Sequence, residues 1–170
     1  FQERITALSS ILEEGQAALI TSGVNRLYFT GFNSSAGTVL ITKSSAFLII
    51  DFRYFEKATA TVKHMQVILQ EKLFDQITEI LKKENINTVL VESVSVTLSL
   101  YSRFCEELPD FNISKEDILS RKIESLRSIK SSEELKLIKK SQALTDMTFS
   151  YILDRISEGR TEKEVMLDME

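Results

Sequence analysis

Short, mainly apolar runs recur along the first two thirds of the chain and predict the strands of a sheet. The runs are Ala17–Ile20, Leu27–Phe29, Val39–Ile41, Phe47–Ile50, Val67–Leu69, Thr88–Val91 and Phe111–Ile113. Most are apolar at consecutive rather than alternate positions, which is typical of strands that are covered on both faces. The pattern therefore predicts a sheet with helices on each side.

Between these runs, apolar residues recur every three or four positions and predict helices. The predicted helices are one near the start that is closed by Gly15, and others over Phe52–Val62, Phe74–Asn85 and Leu98–Leu108. The short polar connection Lys43–Ser45 predicts an antiparallel hairpin. After residue 50, strands and helices alternate, which requires crossover connections and parallel pairing. We therefore expect a mixed-sheet α/β domain over residues 1–125.

The pattern changes at about Leu126 and predicts a long helix. Ser131 and Glu134 have the spacing of a capping box directly before an apolar periodic run. The helix is expected to continue to about Ser157. Its apolar residues fall on more than one side, which is typical of a helix that lies between two bodies.

A second capping box, Thr161 with Glu164, predicts another helix near the end of the chain. Phe1 lies in a helical pattern that has no cap, and Glu170 lies in one that has barely begun. We therefore expect the sequence to be a piece of a longer protein, with residues 126–170 leading into a second domain.

Composition narrows the classes of function. Of the 170 residues, 43% are hydrophobic and 27% are charged, which is ordinary for a globular protein. The net charge is −4 and the basic residues are scattered, which argues against a nucleic-acid surface. Cys105 is the one cysteine, so no intrachain disulfide can form, and we expect it to be a small core residue. We expect the one histidine, His64, to have a structural role. There is no signal-peptide pattern and no apolar run long enough for a bilayer, so we expect a cytoplasmic protein without a membrane partner.

The stretch Thr30–Tyr54 holds the candidate functional residues, and its first part is the polar loop Gly31–Gly37. Asn33, Ser34 and Ser35 offer hydrogen-bond donors and acceptors, and the two glycines allow backbone angles that other residues avoid. One interpretation is a loop that reaches an active site. The other is a tight connection between strands, and the sequence does not separate the two.

Asp51 and Arg53 form the second part, directly after the apolar run Phe47–Ile50. If the strand continues, the two side chains share a face. Arg53 would then suit a substrate carboxylate or a peptide carbonyl, because its planar guanidinium matches such groups. The alternative, which we favour, is a local pair in which Asp51 caps the helix that follows.

Four stretches resemble, in the same order, the signatures of the creatinase, prolidase and Xaa-Pro aminopeptidase family. They are Thr30-Gly31-Phe32 with Ser35-Ala36-Gly37, Asp51-Phe52-Arg53-Tyr54, Leu126–Ser131 with Glu133, Glu134 and Ile138, and Ile156–Glu162. Each is short, but together they extend over essentially the whole chain.

The resemblance implies an N-terminal α/β domain of ribonuclease H-like topology, followed by a larger pita-bread metallopeptidase domain. Residues 1–125 would be the first domain, and residues 126–170 the linking helix and the start of the second. The family hydrolyses the peptide bond before a proline with two divalent metal ions, usually manganese, cobalt or zinc, which activate a bridging water. The aspartate, histidine and glutamate ligands belong to the later part of the catalytic domain. We therefore expect no catalytic or metal-binding residue in this chain, which should be inactive alone.

In this family the N-terminal domain mostly mediates dimerisation and covers the substrate entrance. The resemblance thus implies a homodimer that acts on proline-containing peptides, with Asn33, Ser34, Ser35, Asp51 and Arg53 as candidates at the substrate entrance. Two alternatives remain. One is a non-catalytic protein-binding module of the same fold, and the other is a creatinase-like amidinohydrolase.

Overall fold

A six-stranded mixed sheet forms the centre of the first of two units in the computed structural model, which describes residues 1–169. The units are Phe1–Ser128 and Ile129–Glu170. The strands are β1 Gln16–Ile20, β2 Thr38–Ile41, β3 Ala46–Ile50, β4 Gln66–Leu69, β5 Thr88–Val91 and β6 Asn112–Ser114. Their order across the sheet is β4-β3-β2-β1-β5-β6. The pairs β1–β2 and β2–β3 are antiparallel and the others are parallel, so the predicted hairpin and parallel crossovers are confirmed.

Six helices of the first unit cover both faces of this sheet. They are α1 Gln2–Ser9, α2 Gly23–Thr30, α3 Phe52–Thr61, α4 Leu73–Lys83, α5 Leu98–Glu107 and α6 Ile118–Ser128. Helices α1, α2, α3 and α6 pack on one face and α4 and α5 on the other. The neighbours Leu48 and Ile49 of β3 point into opposite cores and are both fully buried. This explains the consecutive apolar runs, and the predicted fold class is confirmed.

The predicted strand at Leu27–Phe29 is wrong, because these residues belong to α2. The Ser22 side chain caps the helix by accepting a hydrogen bond from a backbone N–H of the first turn. The buried side chains Arg26 and Thr30 lie one turn apart, and Gly31, with a φ of 66°, ends the helix in the left-handed conformation. The consecutive apolar residues Leu27–Phe29 suggested a strand. The helical periodicity of the buried positions was not visible because one of them is Arg26.

One helix bound also differs from the prediction, and one helix was not predicted. Helix α1 ends at Ser9, well before Gly15. Helix α6 was not predicted, because its buried positions Leu119 and Ile123 are separated by charged and polar residues. It completes the core on the α1 side of the sheet.

Neither Cys105 nor His64 lies in the core. Cys105 is exposed on α5, so the expectation that it is a small core residue is wrong. The buried residues here are Phe104 of α5 and Leu108, which directly follows the helix. The Nε2 atom of His64 lies 2.9 Å from the Phe29 carbonyl oxygen, and its ring stacks on Phe1.

The second unit contains α7 Ser132–Leu153 and α8 Glu162–Met169. The predicted capping box at the start of α7 is present. The Glu134 N–H donates to the Ser131 hydroxyl at 3.2 Å, and the Ser131 N–H donates to the Glu134 carboxylate at 2.9 Å. The helix ends at Leu153, four residues before Ser157.

The second predicted capping box is also formed. The Thr161 N–H donates to Glu164 Oε2 at 2.8 Å, and the Glu164 N–H donates to the Thr161 hydroxyl at 3.3 Å. Many large apolar side chains of this unit are exposed to solvent, among them Leu137, Met147 and Phe149 of α7. The apolar side chains on more than one side of α7 therefore pack against few of the described residues.

Candidate functional site

The loop Gly31–Gly37 is anchored at its start by the Thr30-Gly31-Phe32 turn. The Thr30 hydroxyl donates to the Arg26 carbonyl oxygen at 2.7 Å and accepts from the Phe32 N–H at 3.0 Å. Phe32 is buried, and its ring meets that of Tyr54 edge-on with 6.2 Å between the centroids. This turn closes α2 and directs the loop towards the start of α3.

The other end of the loop is held by Arg26, whose side chain is only 4% exposed. Its Nε and Nη2 atoms donate to the Ser34 hydroxyl and carbonyl oxygens at 3.1 and 2.7 Å. Its Nη1 atom donates to the Thr21 carbonyl oxygen at 2.9 Å and to the Gly37 carbonyl oxygen at 3.0 Å. Gly37 has a φ of 126°, and a Cβ there would lie 3.3 Å from the Arg26 Cδ, so the position requires glycine.

Ser35 joins the loop to α3 through Tyr54. The two hydroxyl oxygens are 2.9 Å apart, and the hydrogen bond from Ser35 lowers the pKa of the Tyr54 phenol. Asn33 is exposed, and within residues 1–169 its side chain makes no hydrogen bond. The loop therefore presents Asn33 and Ser35 outwards, while Ser34 faces Arg26.

Asp51 and Arg53 form a local pair at the start of α3. Asp51 is the N-cap residue and accepts the Arg53 N–H at 3.0 Å. The Arg53 Nε and Nη2 atoms donate to the two carboxylate oxygens at 3.2 and 2.7 Å, and this hydrogen bonding lowers the pKa of Asp51. Because the helix begins directly after Asp51, the strand does not continue. A substrate carboxylate on Arg53 would have to use Nη1 or displace Asp51.

The hairpin β2–β3 brings the two parts of the stretch together. The Ser35–Tyr54 contact places the loop beside the first turn of α3, where Arg53 is 57% exposed. The Arg53 guanidinium also lies over the Tyr54 ring, 5.4 Å from its centroid. Of the five candidate residues, Ser35 and Arg53 thus meet at Tyr54, and Asn33 is exposed on the same loop as Ser35. Ser34 and Asp51 make internal contacts.

Glu92 was missed by the sequence analysis, although it is only 1% exposed. It follows β5, and its Oε2 atom accepts the backbone N–H groups of Thr21 and Ser22 at 2.6 and 2.9 Å. Its Oε1 atom accepts the Ser22 hydroxyl at 2.7 Å and the Asn25 side-chain amide at 2.6 Å. An acidic residue directly after an apolar run was the available signal, because the adjacent parallel strands β1 and β5 end at the same edge.

Arg26 and Glu92 together form a buried polar cluster at this edge. Burial lowers the pKa of Arg26, and the negative charge of Glu92 opposes that shift. Arg127 in the last turn of α6 donates to the Asn25 Oδ1 atom at 3.0 Å, which directs the Asn25 amide nitrogen towards Glu92. Arg26 was missed because its segment was interpreted as a strand.

A crevice of about 560 Å³ opens at the same edge between α4 and α5. Its walls combine Thr21 and Thr38 with the charged residues Lys72, Arg103 and Glu107. None of the five candidate residues lines this crevice, so their surface is a separate feature of the sheet edge.

No group of three or more histidine, cysteine, aspartate or glutamate side chains within residues 1–169 could hold a metal ion. The described residues therefore do not fit the two-metal centre that the resemblance implies. No helix in that part of the chain is long and apolar enough to cross a membrane.

The sequence matches the model of the creatinase/prolidase N-terminal domain over residues 4–129. The chain belongs to this family. It is 33% identical over 153 residues to the uncharacterized peptidase YqhT of Bacillus subtilis, covering 89% of this chain and 42% of the relative. It is 28% identical over 172 residues to the Xaa-Pro dipeptidase of Pyrococcus furiosus, covering 99% and 47%.

A solved Xaa-Pro dipeptidase from Bacillus anthracis superposes on the chain with a TM-score of 0.89 and 31% identity, over 99% of this chain and 47% of that one. The chain thus spans less than half the length of these curated and solved relatives. The creatinase/prolidase N-terminal domain accounts for the first unit, and the similarity to whole peptidases extends through the second.

Proposed function

We propose that the chain is the N-terminal part of a metal-dependent Xaa-Pro peptidase, a hydrolase that cleaves the peptide bond before proline. The observation that carries the proposal is the similarity along 99% of this chain to an Xaa-Pro dipeptidase, at a TM-score of 0.89. The first unit is the creatinase/prolidase N-terminal domain. The second unit, which follows α6, is the start of the catalytic domain.

The exposed apolar residues of α7 support this division. Leu137, Met147 and Phe149 would be costly to leave in water, and the sequence that follows in the longer relatives would cover them. The two divalent ions (manganese, cobalt or zinc) would be held by residues outside this chain. No reaction step is assigned to the described residues, and the 170-residue chain alone is expected to be inactive.

The activity test compares the 170-residue chain with the longer protein. Both are incubated with manganese, cobalt or zinc and with three substrates: an Xaa-Pro dipeptide, a longer Xaa-Pro peptide and creatine. Hydrolysis of an Xaa-Pro bond by the longer protein alone supports the proposal, and the preferred peptide length separates a dipeptidase from an aminopeptidase. Cleavage of creatine alone would identify an amidinohydrolase instead.

The surface of Asn33, Ser35 and Arg53 is proposed to cover the substrate entrance. Two polar side chains on a held loop, beside a guanidinium at the start of α3, suit the polar groups of a peptide. In the longer protein, Asn33→Ala and Arg53→Ala are expected to raise KM for an Xaa-Pro peptide more than they lower kcat. Unchanged KM and kcat in both variants would show that this surface does not lie at the substrate entrance.

An exposed apolar edge supports the proposed homodimer. Strands β1, β3 and β5 run in the same direction, so the segments that follow them share the carboxyl edge of the sheet. These segments contain the exposed apolar residues Val24, Leu27, Phe52, Val94 and Leu98. Phe52 and Leu98 are 79% and 87% exposed. Large apolar side chains exposed along one edge are suited to a protein interface.

Light scattering of the longer protein tests the dimer. The Phe52→Ser, Leu98→Ser double variant is expected to become monomeric, while Ile11→Ser, at an exposed apolar position of the first unit before β1, is the control for a general loss of exposed apolar surface. A wild-type protein that stays monomeric at high concentration would refute the proposed homodimer but would not affect the peptidase assignment. If the same edge instead retains a different protein, the alternative of a protein-binding module is favoured. Cell fractionation tests the proposed cytoplasmic location.

A further inference from the structure

We propose that Arg26 is a positioning residue that holds the loop Gly31–Gly37 in a single conformation, with Glu92 fixing the helix from which it extends. The inference rests on the proposed role of this loop at the substrate entrance. It assigns the shape of that loop to two buried charged residues that do not themselves face the entrance.

The Arg26 guanidinium bonds to both the loop and the sheet. Two of its hydrogen bonds go to Ser34 in the middle of the loop, one goes to Gly37 at its end, and one goes to Thr21 after β1. A planar guanidinium directs its donors along fixed directions within one plane, which suits four acceptors around it. A lysine ammonium in the same place has three donors at a single point and cannot reach all four.

The loop depends on this contact because glycines at both ends allow it many backbone conformations. Gly37 packs directly against the Arg26 side chain, as the 3.3 Å distance from a Cβ position to Cδ shows. The outward residues Asn33 and Ser35 flank Ser34, which Arg26 holds by both its hydroxyl and its carbonyl oxygen. Releasing Ser34 therefore displaces both neighbours.

Glu92 fixes the starting point of Arg26. Its carboxylate accepts two backbone N–H groups at the junction of β1 and α2, together with the side chains of Ser22 and Asn25. Negative charge at the N-terminus of a helix is also favourable to the helix dipole. The first turn of α2 is thereby tied to the end of β5, and Arg26 lies in the next turn.

The burial of Arg26 also depends on the loop. An arginine that is 4% exposed is costly unless its donors are satisfied and its charge is compensated. Here the donors are satisfied almost entirely by the loop and by the end of β1, and Glu92 supplies the nearby negative charge. The position of the loop and the burial of the charge therefore depend on each other.

The first test measures the order of the loop in the 170-residue chain by ¹⁵N relaxation. In the wild type, the amides of residues 34–37 are expected to have order parameters of about 0.85, typical of a rigid backbone. In Arg26→Lys and Arg26→Met they should fall below about 0.6. Arg121→Lys and Arg121→Met are matched controls, because Arg121 is an exposed arginine of α6 that pairs with Asp117.

A variant that changes the loop and leaves Arg26 in place keeps the test decisive if Arg26→Met does not fold. Gly37→Ala leaves the charges in place but is expected to push the loop from the Arg26 side chain, with the same loss of order. Rigid loop amides in both Arg26→Lys and Gly37→Ala would overturn the proposal.

The second test uses the longer protein and Xaa-Pro peptides. Arg26→Lys is expected to lower kcat/KM about tenfold, mainly through KM, and Arg121→Lys to leave both constants unchanged. A purely structural role would reduce the folded fraction, and hence the apparent kcat, without changing KM. Unchanged KM with a disordered loop would show that the loop does not position substrate. If the wild type cleaves no Xaa-Pro peptide, the proposed function fails, while the relaxation data still decide whether Arg26 holds the loop.

Discussion

Replacing Glu92 by alanine should destabilise the first unit more than any comparable change at an exposed carboxylate. The side chain is almost completely buried and accepts four hydrogen bonds, two of them from backbone N–H groups. Alanine removes all four acceptor contacts and the negative charge near Arg26. Ser22 and Asn25 can turn their side chains to other partners, but the Thr21 and Ser22 N–H groups cannot.

The expected loss in the free energy of unfolding follows from the N–H groups of Thr21 and Ser22. A buried donor that loses its acceptor costs about 1–3 kcal/mol, so two of them give a loss of about 3 kcal/mol. Loss of compensation for the Arg26 charge adds to this, and water that enters the vacated space subtracts from it. Glu92→Gln keeps one oxygen for the two N–H groups, and its amide nitrogen can donate to the Ser22 hydroxyl but leaves the Asn25 amide without its acceptor. A smaller loss of about 1–2 kcal/mol is therefore expected.

The assay is urea unfolding of the 170-residue chain at pH 7, followed by circular dichroism. Loss of the strand signal reports on the first unit, because the described part of the second unit contains helices only. With a slope of about 1–3 kcal/mol per M, the alanine variant should lower the midpoint by about 1–3 M. Glu79→Ala, an exposed carboxylate on α4, is the control and should change stability by at most about 0.5 kcal/mol. A loss below about 1 kcal/mol for Glu92→Ala would refute the reasoning.

Three further predictions concern local contacts. Ser35→Ala should raise the pKa of Tyr54 back towards its ordinary value of about 10, which NMR titration of the tyrosine rings measures and an unchanged value would contradict. Hydrogen bonds from Ser44 and its neighbours lower the pKa of Glu84, so its stabilising effect is present above about pH 4.5 and is lost as the pH falls through the lowered value. Glu84→Gln should therefore be less stable than the wild type at pH 7 but not in acid, and an equal difference at both pH values would count against this cause. Ser131→Ala should reduce the stability of α7 by about 1 kcal/mol, measured by its helical signal on heating; no change would show that the cap is dispensable.

The sheet was predictable because burial on both faces leaves a clear pattern. Strands such as Phe47–Ile50 need apolar residues at every position, and the short polar turn after Val39–Ile41 permits only a hairpin. Helix α2 was not predictable in this way, because one of its buried positions is Arg26 and a hydrophobic pattern cannot include a buried charge. Its signals are the Ser22 cap and Gly31, which act through single side chains and backbone angles.

The candidate surface was predicted only in part for a related reason. The sequence brought the loop and the strand end into one stretch, and the contact between Ser35 and Tyr54 joins them. Which residues face outwards depends on contacts over long sequence separations. Ser34 faces inwards because Arg26 lies beneath it, and Glu92 reaches its partners from about 70 positions away. No local pattern contains that information.

These contacts explain why a stretch without metal ligands can identify the family. Thr30 and Phe32 close the helix and enter the core, and Phe32 meets the ring of Tyr54. Ser35 bonds the same tyrosine, and Asp51 begins the helix that carries it. The two signatures are therefore halves of one folded unit, and a change in either half would move the other. A surface such as that of Asn33 can vary while this unit stays constant, which is the arrangement expected of a rigid scaffold that presents a variable surface.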